Sequence, residues 1–138
     1  MQTVCHLSSL VYEQAEKYGK KVCFTYQKWG SSVWEQLTWK EVAETVKTLS
    51  NSMLNIGIEV QENVGIFSQN SVEYIFTDLA AWGIRAVTVP FYATSSEEQI
   101  RFMIEDAQIR YVFVGEQEQY DKTLAVMPLC NTLQKIIV

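Results

Sequence analysis

Apolar positions along this chain change period several times, and each change marks an element. Val4, Leu7, Leu10, Val11, Ala15 and Tyr18 recur three and four apart, which predicts a helix over 4–18 with Gly19 as a left-handed stop. Val22, Phe24 and Tyr26 then alternate with polar or small residues, and 33–38 reads as a second strand. Trp29-Gly30-Ser31-Ser32 between them supplies turn chemistry, so the two strands form a hairpin. Thr38 and Glu41 have the spacing of a capping box and open a helix whose stripe is Val42, Val46, Leu49, Met53 and Ile56. Gly57 ends that helix, with Ile58 able to fold back onto Met53.

From residue 63 the pattern becomes a strand–helix rhythm. A strand over 63–68 leads to a helix that Asn70 can cap, running through Gly83 with Val72, Ile75, Phe76, Leu79 and Trp82 inward. A strand over 86–90 leads to a helix capped by Thr94 or Ser95, running through Ala107 with Ile100, Met103, Ile104 and Ala107 on one face. A strand over 111–114, a helix over 116–126 stopped by Pro128, and a strand over 135–138 complete the series. Val87, Val89, Val112 and Val114 lie in near-continuous apolar runs, the mark of parallel strands covered on both faces by helices. The predicted class is α/β: a doubly wound, mostly parallel sheet flanked by helices, with an N-terminal helix and β-hairpin packed on it. Residues 1–138 read as one domain, with helix, hairpin and helix in 1–58 and a βαβαβαβ unit in 63–138.

Composition narrows the function. The 138 residues are 48% apolar, enough for a core and too apolar for a disordered tail. Eleven basic against sixteen acidic residues, with no basic run beyond Lys20-Lys21, argue against a nucleic-acid partner. No basic-then-apolar leader and no apolar stretch of spanning length are visible, since Glu73, Asp78 and Arg85 interrupt the most apolar region. Cys5, Cys23 and Cys130 are odd in number and form no CxxC, which suits reduced thiols in the cytoplasm. Cys5-His6 has no second cluster to complete a metal site.

In an open α/β sheet the ligand crevice lies beyond the carboxyl ends of the strands. The first such end carries Ser68-Gln69-Asn70-Ser71, small and polar but without GxGxxG. The second carries Pro90-Phe91-Tyr92-Ala93-Thr94-Ser95-Ser96, whose two aromatics either stack on a base, line an acyl pocket or plug the core. The third carries Gly115-Glu116-Gln117-Glu118, whose carboxylates suit a helix's first turn and would repel a phosphate. No glycine-rich loop followed by Lys occurs, and a nucleophilic triad would depend on His6 alone. No complete active site is present.

Four motifs, in order and well spaced, resemble those of one family. Leu37-Thr38-Trp39-Lys40-Glu41-Val42 is similar to the L-T-Y-x-E-L segment of AMP-forming acyl-CoA synthetases, in the adenylate-forming superfamily. Asn70 with Glu73 is similar to their N-x-x-E, and the run from Trp82 to Pro90 to their G-A-V-x-V-P, with Ile84-Arg85 where Gly is usual before Ala-Val. Val89-Pro90-Phe91-Tyr92-Ala93-Thr94-Ser95-Ser96 resembles the V-P-x-Y-x-T-S-S of the long-chain fatty-acid branch. The resemblance implies a two-step ligase: fatty acid and MgATP give acyl-AMP and pyrophosphate, then CoA displaces AMP. The catalytic motifs of that family lie beyond residue 138, so the chain is expected to be an N-terminal part, with the rest of the synthetase as its partner. On this resemblance no catalytic, metal or cofactor residue is assigned here. Only the scaffold and the loop 90–94 carry over, and the resemblance implies that Phe91, Tyr92 and Thr94 face the CoA nucleotide. A cytoplasmic location follows, with peripheral attachment to a membrane left open.

The rival reading is a free-standing, flavodoxin-like scaffold or protein-interaction domain that uses Trp29 and Trp34 near the hairpin turn. A homodimer fits either reading.

Overall fold

The computed structural model describes residues 6–28 and 30–138. Val4, Cys5 and Trp29 lie outside the described residues. Helix α1 (Leu7–Tyr18) leads to strands β1 (Val22–Gln27) and β2 (Trp34–Thr38), an antiparallel pair with Tyr26 opposite Glu35. Helix α2 (Trp39–Asn55) follows, then β3 (Asn63–Phe67), α3 (Val72–Gly83), β4 (Val87–Phe91), α4 (Glu97–Asp106), β5 (Tyr111–Val114), α5 (Gln117–Val126), a 3-10 turn at Met127–Leu129 and β6 (Lys135–Ile137). The last four strands form one parallel sheet in the order β4-β3-β5-β6.

Side-chain alternation in β5 splits the core in two. Tyr111 and Phe113 join a cluster with Val11, Val42, Val46, Met53, Val64, Phe76 and Ala80, so α1, α2, α3 and the hairpin cover that face. Val112 and Val114 join Phe67, Phe91, Ile100, Ile104, Ile109 and Val126, so α4 and α5 cover the other. This is the doubly wound arrangement, with the N-terminal helix and hairpin packed on one layer.

Several local signals act as their chemistry dictates. Thr38 and Glu41 form a reciprocal capping box: the Glu41 N–H donates to Thr38 Oγ1 at 3.3 Å, and the Thr38 N–H donates to Glu41 Oε2 at 2.8 Å. Those bonds hold the Glu41 carboxyl below the ordinary carboxylate range.

Helices α2, α3 and α4 all end in one motif. Ile58 N–H donates to Met53 O at 3.1 Å and Gly57 N–H to Leu54 O at 3.0 Å. Ala86 to Ala81 at 2.9 Å with Arg85 to Trp82 at 3.0 Å repeats it, as does Ile109 to Ile104 at 2.9 Å with Gln108 to Glu105 at 3.3 Å. The pivot takes positive φ each time: 94° at Gly57, 65° at Arg85 and 54° at Gln108. The residue after it is apolar and buried, which drops the chain into the next strand. The Ile84-Arg85 departure from the family pattern is therefore a non-glycine residue in a glycine conformation, at an exposed position. Arg85→Gly is expected to raise unfolding stability by about 0.5–1 kcal/mol, read as a higher urea midpoint.

The structure corrects several boundaries. Gly19 is right-handed (φ −43°), and its N–H-bearing turn is followed by a Lys21 N–H bond to Tyr18 O at 2.7 Å, so it is no left-handed stop. Ser71, not Asn70, caps α3, accepting from the Tyr74 N–H at 3.1 Å. Ser96, not Thr94 or Ser95, caps α4, in a capping box with Gln99. The buried face of α3 is Val72, Phe76, Thr77, Ala80 and Ala81, leaving Ile75 at the surface. Strand β4 is not covered on both faces: as an edge strand it leaves Val87 and Pro90 exposed, and Pro90 there lacks the N–H that a further strand would pair with.

Candidate functional site

Successive strands step from β3 outward to β4, then back across to β5. Beyond their carboxyl ends β3 and β5 feed helices on opposite faces, α3 and α5, so the chain parts and leaves a crevice. A cleft of about 850 Å³ lies there. Ser68 to Ile75 line one side and Gly115-Glu116 the floor, while β1 supplies a wall from Phe24 to Lys28. Ser68 and Gly115 both line the cleft, and the Gly115 N–H donates to Phe67 O at 3.0 Å.

Charge in this cleft is mostly committed. Lys28 Nζ lies 3.1 Å from Glu35 Oε1, and the Tyr26 hydroxyl donates to Glu35 Oε2 at 2.9 Å. The Lys28 and Tyr26 bonds hold the Glu35 carboxyl down, and the same carboxylate pushes Lys28 and Tyr26 up. Glu73 stands in the first turn of α3, and Glu116 and Glu118 at the start of α5. Both helix N-termini facing the cleft thus carry carboxylates that offset their dipoles and oppose a bound anion. Asp78, farther along α3, is raised by burial and bonded to Thr88, which also accepts from Trp82 Nε1 at 3.1 Å. Among the described residues no group of three or more His, Cys, Asp and Glu is placed to hold a metal, and no helix is long and apolar enough to cross a membrane.

A second groove, of about 500 Å³, follows β4. Tyr92, Thr94, Ser95, Glu98, Gln99, Phe102 and Met103 line it. The sequence-predicted residues divide here. Tyr92 is 85% exposed and Thr94 is exposed beside it. Phe91 is 3% exposed, the last residue of β4, with its ring centroid 5.9 Å from that of Phe67. The reading of Phe91 as a crevice-facing aromatic is corrected: strand alternation turns it into the core and turns Tyr92 out. Phe102, 67% exposed, is a groove residue that helical periodicity passed over, because it sits between the inward Ile100 and Ile104 positions and off their stripe. Trp34 is 65% exposed on the hairpin.

Comparison with known proteins adds a separate line of observation. A family model described as AMP-binding enzyme matches residues 11–138. The long-chain-fatty-acid–CoA ligase FadD15 of Mycobacterium tuberculosis is 33% identical over 88 residues, 64% of this chain and 15% of that protein. The long-chain-fatty-acid–CoA ligase ACSBG2 of Rattus norvegicus is 25% identical over 127 residues, 92% of this chain and 19% of that protein. Among solved structures, a long-chain-fatty-acid–CoA ligase (FadD1) from Archaeoglobus fulgidus superposes with a TM-score of 0.86 at 23% identity, covering 96% of this chain and 27% of that one. The chain thus spans less than a fifth of the length of these curated relatives, while nearly all of it superposes on the solved ligase.

Proposed function

The chain belongs to the AMP-binding enzyme family, and from that premise we propose that it is the N-terminal subdomain of a long-chain fatty-acid–CoA ligase. The observation that carries this reading is the family match over 11–138 together with long-chain ligases among the relatives. The whole enzyme takes a fatty acid and MgATP to acyl-AMP and pyrophosphate, and the CoA thiolate then displaces AMP. Residues 1–138 act as one unit in it, and the remainder of the synthetase is its partner.

Within that enzyme the Tyr92–Ser95 loop faces the CoA nucleotide. Tyr92 offers an exposed ring for stacking and Thr94 an exposed hydroxyl, on a loop at the carboxyl end of a parallel strand. Phe91 supports the loop from the core. The chain supplies scaffold and groove and no reacting group: it has no glycine-rich loop followed by Lys to grip the triphosphate. The purified 138-residue chain is therefore expected to fold and to show no fatty-acid-dependent ATP–pyrophosphate exchange. Exchange above the no-protein blank, dependent on added fatty acid, would overturn the assignment of chemistry to residues outside this chain.

A further inference from the structure

The buried face of α5 carries a residue that a helix core ordinarily avoids. Gln119 is fully buried, and Thr123 and Val126 share its stripe. Thr123 is satisfied within the helix, its hydroxyl donating to the Gln119 carbonyl at 2.7 Å. The Gln119 side chain reaches off the helix instead. Its Nε2 donates to the Ala93 carbonyl at 3.1 Å, and Oε1 is buried with no partner among the described residues. A half-satisfied buried amide is less favourable there than leucine, so its one bond points to a role off the helix.

Three residues on, Lys122 Nζ donates to the Ser95 carbonyl at 3.2 Å while paired with Glu118 at 2.8 Å. Both α5 bonds land on a single turn, which the Ser95 N–H closes by donating to the Tyr92 carbonyl at 2.8 Å. Beneath the turn Ser95 is 5% exposed, and above it Tyr92 is 85% exposed.

We infer that Gln119 and Lys122 are positioning residues: from α5 they grip the backbone of the Tyr92–Ser95 turn, so that Tyr92 and Thr94 meet the CoA nucleotide already ordered. The inference rests on the CoA-side reading of that turn. Its physical content is pre-organisation, since a turn fixed from below loses less freedom when a ligand binds from above. Neither residue touches the ligand.

The test uses the 138-residue chain, residue-resolved NMR and coenzyme A as the probe. In Gln119→Leu and Lys122→Met the Ser95 amide is expected to exchange about tenfold faster, while Val112 and Val114 in β5 keep their rates. Lys122→Arg, which keeps a donor, is expected to restore protection. Coenzyme A is expected to shift Tyr92 and Thr94 in the wild type, with an affinity about tenfold weaker in Gln119→Leu. If Gln119→Leu fails to fold, Lys122→Met carries both measurements, since Lys122 is partly exposed. Unchanged Ser95 exchange in the folded variants overturns the grip. Unchanged affinity in a variant whose turn has loosened overturns its service to the ligand. A wild type whose Tyr92 and Thr94 ignore coenzyme A overturns the ligand half and the CoA-side reading together, whereas the exchange rates still decide the grip.

Discussion

Phe91→Ala is expected to lower the unfolding free energy by about 3–5 kcal/mol, whereas Tyr92→Ala, one position on, moves it by less than about 0.5 kcal/mol. The two aromatics are adjacent in the sequence and opposite in consequence. Phe91 is 3% exposed in the cluster that holds Phe67, Ile100 and Ile104. Its ring also occupies the space that a side chain on Gly65 would need, since a Cβ there would lie 3.0 Å from Phe91 Cζ. Truncation leaves a cavity walled by a central strand and a helix, neither free to collapse into it, which places the loss toward the upper part of the range. Tyr92, at 85% exposure, leaves no cavity. Urea denaturation of the three chains gives the comparison directly, with midpoints separated at constant slope. Equal midpoints for the two variants would overturn the division of labour between core and groove. Loss of coenzyme A binding is decisive for a ligand contact only in Tyr92→Ala, because Phe91→Ala disturbs the loop's foundation.

How legible the fold was in the sequence depended on whether the residue that does the work is the one that advertises it. The end of α2 was readable because Gly57 takes the positive φ. The same motif ends α3 and α4 at Arg85 and Gln108, residue types that carry no such signal; only the buried apolar residue after each pivot hints at it. The caps of α3 and α4 fall one or two positions beyond those the sequence predicts, for a related reason. Asn70 and Ser71 are both good caps, as are Thr94, Ser95 and Ser96, and the choice falls to the backbone that the preceding strand delivers. The inward face of α3 departs from the simple apolar stripe because α2 packs closely on Ala80: Ser50 on α2 donates to the Ala80 carbonyl at 3.0 Å. Small residues face that helix and larger Ile75 is turned out. In the site, strand alternation located the crevice loops but not what holds them. Gln119 and Lys122 grip a turn more than twenty residues earlier in the chain, a contact that only the tertiary fold creates.

Gly115 is the other such case, and Gly115→Ala is expected to destabilise the chain by about 2–3 kcal/mol while distorting the cleft. The Gly115 N–H bond to Phe67 O draws its backbone against the residue that follows β3. A Cβ on residue 115 would lie 2.0 Å from Ser68 Oγ, 2.7 Å from Ser68 Cβ and 3.2 Å from Ser68 Cα. Rotating the serine relieves the first contact and not the second, so the backbone of one strand end has to move. That end is where β3 and β5 part, and Ser68 and Gly115 both line the cleft. Chemical-shift changes are therefore expected over 68–71 and 115–117, with the far ends of both strands unaffected. Adding Ser68→Gly to Gly115→Ala removes the 2.7 Å contact and leaves only the Cα distance, so the double variant is expected to regain most of the lost stability. Ser68→Gly alone is expected to cost about 0.5–1 kcal/mol through backbone entropy, which sets the limit of the recovery. A double variant no more stable than Gly115→Ala would place the defect elsewhere than in this contact. Recovery would mean that the width of the cleft floor is set by the missing side chain at 115.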